Sequence, residues 1–87
     1  MKIKDGFLIR EVAGTHIVVA TGARMKEFSG IIKLNETGVF LWEKMNKETD
    51  VQSLTEALTA EYDVGAEQAK KDVEGFISTL KDVGIVE

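Results

Sequence analysis

The stretch Gly30-Ile31-Ile32-Lys33-Leu34-Asn35-Glu36-Thr37-Gly38-Val39-Phe40-Leu41-Trp42-Glu43 holds the point at which the chain changes its hydrophobic period. Residues 30–34, GIIKL, are a short apolar run with branched side chains and read as a strand. At Asn35 the pattern turns helical. Asparagine is a favoured N-cap, and Glu36 follows in the first turn, where a carboxylate meets unpaired backbone amides. Thr37, Phe40, Leu41 and Met45 then fall on one helical stripe. Gly38 inside that helix costs about 1 kcal/mol relative to alanine. A close approach by another segment would account for it. Trp42, the single tryptophan, lies beside the stripe and reads as core or core-edge packing.

Upstream, residues 7–13, FLIREVA, read as a strand with Leu8, Arg10 and Val12 on one face and Phe7, Ile9, Glu11 and Ala13 on the other. Gly14-Thr15 reads as a turn and residues 16–20, HIVVA, as a second strand, so the pair forms a hairpin. Residues 23–28 show no decisive pattern. Downstream, Thr49 and Gln52 have capping-box spacing, and Val51, Leu54, Leu58 and Tyr62 make a second helical stripe. After a break at Asp63-Val64-Gly65, a third helix is predicted over about 66–83, with Ala69, Val73, Phe76, Ile77 and Leu80 as its stripe. Gly84 stands where a C-cap glycine is expected, and Ile85-Val86 forms an apolar tail to be pinned against the helices.

Three strands followed by three helices in 87 residues predict a single α+β domain spanning 1–87. The 44% hydrophobic content argues against disorder. There is no cysteine, so disulfides, thiol nucleophiles and thiolate metal sites are excluded. The N-terminus lacks a signal peptide's apolar run, and nothing is long enough to span a membrane, so a cytoplasmic location is expected. Net charge is -4 but uneven: residues 1–47 carry eight Lys or Arg against five Asp or Glu, and residues 48–87 carry three against ten. A helical half that acidic is a poor surface for a phosphate backbone. A sheet before three helices suggests a winged-helix DNA reader, but no helix here offers the basic recognition face one needs. No nucleic-acid partner is expected.

Catalytic options are few. His16, the only histidine, opens a strand and reads as an ordinary strand or turn residue. No carboxylate cluster has ligand spacing around it, so neither metal nor cofactor is expected. Phosphate-loop, dinucleotide and nucleophile-elbow motifs are missing. Glu67 with Lys71, and Lys70 with Glu74, are i,i+4 pairs of a solvated helix surface. What remains is a binding surface. A three-stranded sheet has two edges, and an edge beside an apolar helix face suits a partner peptide that adds as a further strand. Phe28-Ser29-Gly30-Ile31-Ile32-Lys33, apolar and free of proline, is the candidate edge.

The segment 30–43, with its LNETG block, resembles the PqqD family, the small proteins related to the pyrroloquinoline-quinone synthesis chaperone and also described as peptide recognition elements for ribosomally made, modified peptides. The FLIREVAGTHIVV hairpin, the TDVQSLTEALTAEYDV helix and a long third helix ending in Gly84-Ile85-Val86 agree with it. The resemblance implies a three-stranded antiparallel sheet on three helices, like a winged helix-turn-helix. It implies a non-catalytic module that binds a precursor's leader segment and presents the peptide to a separate modifying enzyme, often a radical SAM enzyme. In the family the leader lies against the third strand and third helix. Carried onto this chain, that implies strand contacts from Phe28, Ser29, Gly30, Ile31, Ile32 and Lys33. The helix contacts implied are Ala69, Lys70, Val73, Glu74, Phe76 and Ile77. Lys33 and Lys70 would meet leader carboxylates; Val73 and Phe76 would seat apolar anchors. A general interaction or regulatory domain, as a homodimer through the same sheet edge, is the alternative.

Overall fold

The computed structural model describes residues 1–22 and 32–86. Its elements run β1 (Phe7–Val12), β2 (Thr15–Ala20), β3 (Ile32–Leu34), α1 (Glu36–Lys44), α2 (Val51–Glu61) and α3 (Ala66–Asp82). The three strands form one antiparallel sheet in the order β1-β2-β3. The α+β reading is therefore correct in class and element order.

The β1–β2 turn is one residue earlier than the sequence suggests. Val12 pairs with Thr15, leaving Ala13 and Gly14 as the two turn residues. Both have positive φ, 52° and 80°. That is the conformation which matches the right-handed twist of flanking strands. Alternation then divides the sheet. Ile9, Val18, Ile32 and Leu34 face the core, whereas Leu8, Arg10, Val12, Ile17, Val19 and Lys33 face outward.

Asn35 caps α1 as expected, its side chain accepting the Gly38 amide at 2.8 Å. The cap of α2 is Asp50 and not Thr49: the Asp50 carboxylate accepts the Ser53 amide at 2.7 Å. This hydrogen bond holds the Asp50 carboxyl below the usual carboxylate range. Gly84, with φ 76°, ends α3.

One hydrophobic core joins sheet and helices. Val18 and Leu34 supply the sheet side. Leu41, Trp42 and Met45 come from α1 and its end, Leu54 and Leu58 from α2, and Val73 and Leu80 from α3. Trp42 is thus a core residue. The Ile85-Val86 tail is buried, as expected. Its partner was not visible in any local pattern. Ile3 forms an isolated antiparallel bridge with Val86, and the Ile3 amide donates to the Met45 carbonyl at 3.0 Å. The two ends of the described chain therefore close over the α1–α2 junction.

Candidate functional site

The strand β3 follows β2 in the sheet order, and among the described residues nothing pairs with its other side. It is an edge strand. Beyond that edge runs an open cleft of about 460 Å³ between β3, the start of α1 and the last turns of α3. Ile32, Leu34 and Gly38 form one wall; Phe76, Thr79 and Leu80 form the other. Among the described residues, Lys33 is the one ionisable side chain on this lining. The cleft continues past Phe76 toward Thr37, Leu41 and Asp72.

Local sequence explains this shape. The strand ends at Leu34 and the helix begins at Glu36, so Asn35 alone makes the corner. A methyl on Gly38 would stand 3.2 Å from Asn35 Oδ1 and 3.4 Å from Leu34 Cβ. Glycine therefore lets α1 start directly against the end of β3, and it keeps the cleft wall low.

The residues carried over from the family resemblance separate into three groups. Ile32, Lys33 and Phe76 lie on the cleft. Phe28, Ser29, Gly30 and Ile31 lie outside the described residues, so β3 is seen only over Ile32–Leu34. The remaining helix candidates are corrected by the structure. Ala69 and Val73 are fully buried and Ile77 is 6% exposed. They are core side chains, with no surface to offer a docked peptide. Lys70 and Glu74 are exposed but line a depression against Val51, Thr55 and Glu56 of α2. At about 100° per residue, positions 74 and 76 point to nearly opposite sides of a helix. A face carrying Phe76 thus excludes Lys70 and Glu74. The face it does include, at i-4 and i+3, is Asp72 and Thr79. That spacing was the available signal for both.

A second open cleft lies on the other flank of Asn35. His16 and Leu34 border it on the sheet, with Glu36, Val39 and Phe40 from α1 and Tyr62 from the end of α2. The rings of Phe40 and Tyr62 meet edge to face, 5.5 Å between centroids. Lys44 Nζ sits 5.3 Å from the Phe40 centroid. Loss of solvent first, then the charges of Glu36, Glu61 and Glu43, raise the Tyr62 hydroxyl above its ordinary range. His16 Nε2 is 4.0 Å from Glu11 Oε1, its cross-strand partner in the hairpin, so His16 is a strand residue. Among the described residues no group of three or more His, Asp or Glu is placed to hold a metal ion, and no helix is long and apolar enough to cross a membrane.

An open sheet edge bordering an apolar, weakly charged cleft defines a class of small α+β domain built around one accessible strand. Within that class the chain belongs to the family of Coenzyme PQQ synthesis protein D (PqqD), whose model matches residues 15–86. The fold is similar to that of the solved structure "TbiB1 in Complex with the TbiA(beta) Leader Peptide", with a TM-score of 0.78 at 18% identity. The match covers 100% of this chain and 95% of that one. A search of curated protein sequences finds no match.

Proposed function

We propose that this protein binds the leader segment of a ribosomally made precursor peptide as an added strand along β3. The observation that carries this reading is the juxtaposition of the β3 edge with Phe76 across an open apolar cleft. An edge strand offers backbone donors and acceptors at regular spacing, which bind any extended chain. Selectivity then comes from alternate side chains of the peptide, which enter the cleft against Ile32, Phe76 and Leu80. Lys33, at the rim, is placed for a leader carboxylate. Family membership and the fold shared with a protein solved with a leader peptide support the same reading.

The role is non-catalytic. Among the described residues the cleft offers Lys33 on its lining and Asp72 on its continuation past Phe76, which suits holding a chain, whereas acid–base work needs convergent titratable groups. The modification is then performed by a separate enzyme, which we take to be a radical SAM enzyme, in the cytoplasm where the precursor is made. Titration of labelled leader peptides from neighbouring open reading frames tests the proposal. One of them is expected to bind saturably, at about micromolar strength or tighter. Failure of every leader to bind sinks it, and burial of the β3 edge in a homodimer would replace it with the general-interaction reading.

A further inference from the structure

The outward face of the sheet is apolar, and none of the described helices packs on it. Leu8 is 41% and Val12 51% exposed, flanking Arg10 on β1. Across the register, Val19 faces Leu8, Ile17 faces Arg10, and Lys33 on β3 faces Ile17. Ile17 and Val19 are also partly exposed, and none of these four apolar side chains packs against the core. The same alternation places Glu11 on the opposite face, so the outward face carries Arg10 and Lys33 with no carboxylate on any of the three strands.

We propose that this face docks a separate protein whose contact patch is apolar and rimmed by carboxylates. In the reading above, that protein is the modifying enzyme. Contiguous exposed apolar surface with a polar border marks an interaction site. The sign of the charges selects the occupant, because like charges brought together on a docked face are costly and opposite ones steer association. A second copy packed face to face would oppose Arg10 and Lys33 with the same two cations and no compensating carboxylate. A membrane surface is ordinarily held by clusters of roughly 4–8 basic residues, and this face has two on a chain of net charge -4. A protein with an acidic rim fits both terms. The placement has a functional consequence. A leader added along β3 continues the same sheet, so its outward side chains extend this face and an enzyme docked there lies directly beside its substrate.

The test uses the purified chain and the purified modifying enzyme encoded beside a precursor-peptide gene, with enzyme binding and leader binding measured separately. The variants are Leu8→Ser combined with Val12→Ser, and Arg10→Glu alone, all on the strand farthest from the β3 edge. Enzyme affinity is expected to fall by about tenfold or more in each, while leader affinity stays at the wild-type value and reports an intact fold. Wild-type enzyme affinity is also expected to fall with rising salt. Enzyme affinity equal in wild type and variants overturns the proposal, as does wild-type self-association that both variants abolish. Failure of the wild-type chain to bind any leader overturns the preceding reading instead, and is read from the other measurement.

Discussion

Asn35 Oδ1 accepts the Gly38 amide at 2.8 Å, and the same oxygen would stand 3.2 Å from a methyl placed on Gly38. The cap and the glycine are one device that turns the chain from β3 into α1 in a single residue. Removing the cap by Asn35→Ala should cost about 1 kcal/mol. Gly38→Ala should return none of the roughly 1 kcal/mol that alanine gains in a helix interior, because Leu34 and Asn35 must move to admit it. Gly75, in α3, has open space where its Cβ would be. Gly75→Ala should therefore stabilise by about 0.5–1 kcal/mol, and thermal melts of the two variants should move apart.

Ala13 holds a left-handed conformation, φ 52°, that alanine rarely adopts. Asparagine followed by glycine is the preferred pair for this two-residue turn. Ala13→Asn should raise stability by about 1 kcal/mol, which corresponds to a melting shift of roughly 4–8 °C in a domain of this size. Leader affinity should not change, because neither Ala13 nor Gly14 lines the cleft between β3 and α3.

Ile77 and Phe76 are neighbours in sequence with different tasks. Ile77→Ala empties part of the core and should cost about 2–5 kcal/mol, with the folded fraction still binding leader normally. Phe76→Ala should weaken leader binding by about tenfold at a smaller loss of stability, since Phe76 is only partly buried. Chemical denaturation and peptide titration on both variants separate the two roles.

Tyr62 should ionise above the ordinary tyrosine range, chiefly through loss of solvent and then through Glu36, Glu61 and Glu43. Its folded state prefers the neutral hydroxyl, so the stabilising contribution is complete below the ordinary tyrosine value. It is lost as pH rises from there through the raised value. Ultraviolet titration of this single tyrosine checks the direction. Glu36→Gln should bring the transition part of the way back, leaving the effects of lost solvent and of Glu61 and Glu43.

Much of the fold was legible because each element carries its own period. The switch at Asn35, the helical stripes and Gly84 all report local geometry. What escaped the sequence depends on how elements meet. Thr49 and Asp50 are both competent caps, and only the placed backbone makes Asp50 the acceptor for Ser53. The bridge from Ile3 to Val86 joins opposite ends of the chain and has no local signature. The rotation of α3 had the same character. The stripe Ala69, Val73, Phe76, Ile77 and Leu80 was correct as an apolar face, but it is wider than the groove. Packing against α2 and the sheet buries its centre and leaves Phe76 at the border. The helix positions carried over from the family resemblance therefore included the core residues Ala69, Val73 and Ile77.

The central claim is that a peptide strand adds to β3 and seats side chains against Phe76. Amide-resolved NMR of the labelled chain, titrated with a leader peptide, tests it most directly. The account predicts large shifts and new exchange protection at Ile32–Leu34, with shifts at Gly38, Phe76 and Thr79. Lys70 and Glu74, on the opposite side of α3, should be nearly still. A leader that binds while leaving β3 unshifted, or that perturbs the Lys70–Glu74 side in its place, would contradict it.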